Sequence, residues 1–114
     1  MPNIFKILTS HAFDEALEKG VFLGSDVDIK DGFIHFSSAG QAVETAARHF
    51  GGQADLMILC FAAASLGEAL KWEPSRGGQL FPHLYVSLDM RHLVWAKPLA
   101  WNGRAHDFPP ETFA

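Results

Sequence analysis

Leu56-Met57-Ile58-Leu59-Cys60-Phe61 is an unbroken apolar run of strand length. A strand with one wet face alternates apolar and polar residues. A run without alternation predicts a central strand covered on both faces. Upstream of it, Ala42, Val43, Ala46, Ala47 and Phe50 recur at helical spacing. Ser38-Ala39-Gly40-Gln41 opens that helix as a capping box, and Gly51-Gly52 ends it. Before the box, Phe33-Ile34-His35-Phe36-Ser37 reads as one short strand, with Phe33, His35 and Ser37 on one face. Gly24-Ser25-Asp26 and Lys30-Asp31-Gly32 are turn chemistry, so residues 21–31 are expected to be mostly loop. A first helix is expected from a Thr9-Ser10 cap to Lys19-Gly20, and residues 4–8 form a first strand.

Downstream, residues 63–68 predict a helical turn and residues 70–73 a strand. Pro74-Ser75-Arg76-Gly77-Gly78 is a turn whose glycines would let backbone approach a ligand closely. Residues 80–86 form a strand that Pro82 assigns to an edge or a bulge. A last strand covers residues 92–99, and the rest reads as an arm laid across the domain. About six strands and two main helices predict an α+β fold, a bent mixed β-sheet with the helices packed against it. The chain reads as a single domain, 1–114, with a core over about 4–99 and an arm over 100–114.

Composition narrows the function. Ten Phe and three Trp let 114 residues bury a full core. A net charge of −4 without a Lys/Arg run argues against general nucleic-acid binding and leaves room for a local basic pocket. Cys60 is the single cysteine, so no intrachain disulfide forms, and it reads as a buried structural thiol. No stretch reaches the roughly 18–20 apolar residues of a membrane helix, and a cytoplasmic protein is expected.

Two segments concentrate chemistry. His35 lies on a strand that runs into a helix N-terminus, where free amides gather, and Ser37 shares its face. Glu73, Arg76, Gly77, His83 and Tyr85 bring a carboxylate, a guanidinium, an imidazole and a phenol into one short stretch. Alternation places His83 and Tyr85 together, and Glu73 and Arg76 straddle a turn across which they can pair. The expectation is one concave site holding His35, Ser37, His83 and Tyr85 with Arg76 at its rim. His49, near a helix C-terminus, reads as a solvated side chain. No His pair has metal-ligand spacing, and Gly-x-Ser-x-Gly, Walker and Gly-x-Gly-x-x-Gly patterns are absent. Asp26, Asp28 and Asp31 lack the later Gly and Glu of a calcium loop.

Gly24-Ser25, Asp31-Gly32-Phe33-Ile34-His35-Phe36-Ser37, His49-Phe50, Trp72-Glu73, Ser75-Arg76-Gly77-Gly78 and Phe81-Pro82-His83-Leu84-Tyr85 together resemble the bacterial family "domain of unknown function 952" over about residues 4–98. More distantly, Ile34-His35-Phe36-Ser37 and the Ser75–Gly78 turn are similar to motifs of the ADP-ribosyltransferase-like fold, especially its RNA 2′-phosphotransferases. That resemblance implies a bent split sheet with NAD or an ADP-ribosylated phosphate in its cleft. The first strand there carries His-Gly-Thr, where this chain has Lys6-Ile7-Leu8.

Two functions follow. The first is an enzyme, or former enzyme, acting on NAD or an ADP-ribose-like substrate. There Glu73 stabilises charge on the ribose, His35 orients a hydroxyl or phosphate, Arg76 pairs phosphate and Tyr85 stacks on a ring. The second is a non-catalytic module that binds an anionic small molecule in the same pocket.

Overall fold

The apolar run becomes β5 (Leu56–Ala62), hydrogen-bonded to β1 (Asn3–Thr9) on one side and β9 (Leu93–Trp101) on the other in a computed structural model that describes residues 2–114. Both faces of β5 are covered. Leu59 and Phe61 join one apolar cluster with Ile4, Leu8 and Phe22, while Ile58 and Cys60 join another with Phe5, Ile7 and Ala46. The sheet continues to β10 (His106–Asp107) beyond β9 and to β4 (Ser37–Ser38) beyond β1, in the order β10-β9-β5-β1-β4. It curls, and a second sheet of three strands faces it: β3 (Ile34–His35), β7 (Leu80–Leu84) and β6 (Leu70–Pro74). A two-stranded pair joins β2 (Val21–Phe22) to β8 (Leu88–Asp89).

Two main helices form as the caps require. Helix α1 (Ser10–Lys19) starts where the Thr9 hydroxyl accepts from the Ala12 N–H, and it stops at Gly20, whose φ of 78° suits a residue without Cβ. Helix α3 (Ala39–Phe50) starts with the Gln41 side chain accepting from the Ser38 N–H at 3.0 Å. Residues 63–69 form the expected tight turn, as a 3-10 helix.

Four expectations need correction. The sheet is antiparallel throughout its pairings, not mixed. Helix α3 does join two strands of like direction, but β1 lies between them, so they never pair. Residues 21–31 are not mostly loop: they contain β2 and a third, short helix α2 (Asp26–Asp31). The turn residues were its start and stop, since Ser25 and Asp28 form a capping box and Gly32 closes the helix at φ 86°. Residues 33–37 are not one strand, because the chain changes sheets at Phe36, whose N–H donates to the Pro82 carbonyl at 3.0 Å. Pro82 itself lies on the middle strand of its sheet, not an edge. Its missing N–H is tolerated because its backbone faces Phe36, where β3 has already ended.

The arm begins as the end of β9 and folds back as β10, pairing Asp107 with Ala100. No helix among the described residues is long and apolar enough to cross a membrane.

Candidate functional site

Strand β1 pairs with β5 along its whole length, but with β4 only at Ile4 and Phe5. A cavity of about 1000 Å³ lies along the rest of that second edge. Helix α1 and β2 flank one side of it, and α3 with the Ser75–Arg76 turn the other.

Lys6 is buried at its floor, donating to Asp28 Oδ2 at 3.0 Å, Asp28 Oδ1 at 3.2 Å and the His35 carbonyl at 2.8 Å. Asp28 also accepts from the backbone N–H groups of Ser25 and His35 at 2.9 and 3.1 Å. Its Oδ1 lies 2.6 Å from Nδ1 of the His35 ring, and Asp31 meets Nε2 of that ring at 3.0 Å. Burial works against the Asp28 anion. The His35 hydrogen bond, the Lys6 ammonium and the two amides outweigh it and hold the carboxyl below its ordinary range. Burial pushes the Lys6 ammonium down, and Asp28 pulls it part of the way back. Gly24–Gly32 therefore supplies one capping carboxylate that closes a helix turn, neutralises a lysine and orients an imidazole.

On the facing sheet, Glu73 Oε1 lies 2.8 Å from His83 Nδ1 and accepts from the Tyr85 hydroxyl at 2.7 Å. The Tyr85 and His83 hydrogen bonds lower the Glu73 carboxyl, and Glu73 raises the Tyr85 phenol in return. Phe33 stacks on the His83 ring at 4.0 Å between centroids, and the rings of His35 and His83 are 5.5 Å apart. His83 Nε2 is buried without a hydrogen-bond partner.

Arg76 extends toward α3, its guanidinium 4.9 Å from the Phe81 ring centroid and donating to Thr45 Oγ1 at 3.3 Å. Thr45 shares a 2.8 Å hydrogen bond with Ser37 Oγ. His49 sits at the same rim, its imidazolium disfavoured by partial burial and then by Arg76, Arg48 and His35.

Of the residues expected at the site, His35, Ser37, Arg76 and His83 line the cavity. Glu73, Gly77 and Tyr85 are not part of its lining. The expected Glu73–Arg76 pair does not form, because the turn sends Arg76 to Thr45 and Glu44 while Glu73 stays with its sheet neighbour His83. Gly77 is required by its φ of 69°, with open space where a Cβ would stand, so no close approach explains it. Asp28 and Asp31 were weighed only as a calcium loop and His49 only as a solvated side chain, and none of them was assigned to the site. Ser25-x-x-Asp28 with Gly32 beyond was a readable helix signature, whereas the contact of Asp28 with His35 is seen only in the fold. Thr45 entered only through the family resemblance, in Thr45-Ala46, and was given no role at the site.

The chain belongs to the family described as "Protein of unknown function (DUF952)", whose model matches residues 7–96. It is similar to the crystal structure of protein CC0527 from Caulobacter crescentus, at 43% identity and a TM-score of 0.94, covering 98% of this chain and 99% of that one. The solution NMR structure of CC0527 matches at 47% identity and a TM-score of 0.84, over 93% of this chain and 91% of that one. No curated protein matches the chain.

Proposed function

We propose that the protein binds an anionic small molecule in the cavity along β1, with Arg76 as its cationic anchor and the His35 ring beside it. The observation that supports this is a local reversal of charge. The chain as a whole carries 13 acidic residues against 9 basic ones. Besides Lys6, whose charge Asp28 already meets, the cavity is lined by Lys19, Arg48 and Arg76 together with three imidazoles, against Glu15 and Asp31. Walls of one sign and low dielectric concentrate ligands of the opposite sign. The volume is at the upper end of the roughly 300–1,000 Å³ of small-molecule pockets, so a nucleotide-sized ligand fits.

Turnover of NAD or an ADP-ribose-like substrate is a second reading of the same cavity. It draws on the resemblance to the ADP-ribosyltransferase-like fold, and on a His35 ring braced at 2.6 Å by a buried carboxylate. Against it, Glu73, the carboxylate needed beside the ribose, is occupied by His83 and Tyr85 away from the lining. Binding is therefore the reading favoured.

Calorimetric titration with inorganic phosphate, ADP-ribose and NAD, beside a nicotinamide-release assay, tests both readings. Binding of a phosphate-bearing ligand is expected, weakening as salt rises. Arg76→Ala should weaken it about tenfold or more, the worth of one charge-assisted hydrogen bond. Absence of heat with all three ligands at low salt overturns the binding reading. Nicotinamide release that Glu73→Gln abolishes would restore the enzyme.

A further inference from the structure

Phe5, Lys6, Ile7, Leu8 and Thr9 all line the cavity in succession. Neighbouring residues of a strand point to opposite faces, so a cavity over one face would touch only every second one. Contact with five in a row places the cavity along the edge of β1. From Lys6 to Leu8 that edge has no strand partner, and no described hydrogen bond reaches its backbone from elsewhere. Alternation of the ladder directs the N–H and C=O of at least one of these residues into the cavity. All three residues are nearly buried, and backbone groups left unpaired in such surroundings cost free energy. An occupant with amide groups of its own satisfies them.

The direction of the edge says where the charge belongs. Strand β4 is antiparallel to β1, with Ser37 opposite Phe5. A ligand that continues the place of β4 along Lys6–Leu8 with the same polarity ends, at its C-terminal side, beside Ser37. Ser37 bonds Thr45, and Thr45 accepts from Arg76. Its other end lies over Leu8, Ala16 and Phe22, which are apolar and buried.

Building on the anion-binding reading, we propose that the ligand is an extended, amide-bearing carboxylate, an N-acyl amino acid or a short peptide C-terminus, that adds to β1 as an antiparallel strand with its carboxylate at Arg76. Main-chain pairing supplies affinity in such strand addition, and the flanking pockets supply selectivity.

Acetyl-Leu-Leu with a free carboxylate is the probe, compared by calorimetry and amide NMR with its C-terminal amide, its backbone N-methylated form, hexanoate and inorganic phosphate. The free acid is expected to bind at least tenfold more tightly than the amide and the N-methylated form, with amide shifts at Lys6–Leu8. Arg76→Ala should erase the preference for the acid. Hexanoate equal to the dipeptide, or no effect of N-methylation, overturns the strand addition. Phosphate binding at Arg76 in the same samples then shows that the anion-binding reading survives alone. Equal binding of acid and amide overturns the carboxylate assignment, and no binding of any probe overturns both readings. A longer acetylated peptide ending in Leu-Leu separates the sources: tighter binding assigns a peptide terminus, and exclusion assigns the small acyl amino acid.

Discussion

The Asp28–His35 and Glu73–His83 pairs bring the same two groups together in inverted surroundings. In the first, the carboxylate is 1% exposed and the imidazole 30%; in the second, the carboxylate is 38% exposed and the imidazole 5%. Asp28 is thus a fixed interior charge that must keep every partner it has, and His35 is the member presented to the cavity. Glu73 can turn to water at little loss, but the buried His83 ring depends on it for its one hydrogen bond. Which member of such a pair is buried decides which one the frame depends on and which one faces the cavity or the solvent.

The largest effect expected on this contrast is that of Asp28→Ala. It leaves the buried Lys6 ammonium without its counter-charge, and breaking a buried pair costs about 3–5 kcal/mol. Urea unfolding measures it; a loss below about 1 kcal/mol would make the pair equivalent to one at the surface. The pH dependence has a definite sign. Asp28 is held below its ordinary value in the fold, so its contribution is complete above the ordinary carboxylate pKa of about 3.9 and is lost as acid titrates the folded form. The difference between wild type and Asp28→Ala should therefore be constant at neutral pH and shrink in strong acid.

Glu73→Ala should lower the melting temperature by clearly less. The loss falls on His83, which is left buried with neither ring nitrogen bonded. Adding His83→Phe should recover part of it, because a phenyl ring stacks on Phe33 and needs no partner. A double variant less stable than Glu73→Ala would mean that the imidazole is held by packing specific to it and not by its carboxylate. The smallest effect is that of Tyr85→Phe. Stability should not change measurably, while the Glu73 carboxyl should titrate at higher pH by NMR, since the phenol is the leading cause of its depression. An unmoved Glu73 would assign the depression to His83 instead.

Much of the frame was legible in the sequence because it rests on local rules. The unbroken run at Leu56–Phe61 foretold a doubly covered strand, and Ser38-x-x-Gln41 and Lys19-Gly20 foretold helix ends. What failed depended on non-local pairing. Period-two alternation through Phe33–Ser37 is the same whether the residues stay in one sheet or change sheets at Phe36. Pro82 was placed at an edge or a bulge by a sound rule about missing donors, but the side of the strand on which the donor is missing is a fact of tertiary structure. The site shows the same limit. His35, Ser37, Arg76 and His83 were identified by their chemistry, whereas Asp28 lay in a segment read as loop, and the Glu73–Arg76 pairing was inferred from nearness in sequence alone.

The thiol of Cys60 is fully enclosed at the middle of β5, its backbone flanked by Phe5 and Trp95, and burial pushes its pKa up. The side chain points into the cluster that holds Ala46 and Phe50 of α3, so an alkylating reagent reaches the sulfur only after that layer has opened. With no second cysteine in the chain, the rate of alkylation under native conditions is a clock for opening of that layer. Ligand that slows the clock must hold α3 against the sheet. A substitution that speeds it without changing ligand affinity acts on the frame and not on the cavity.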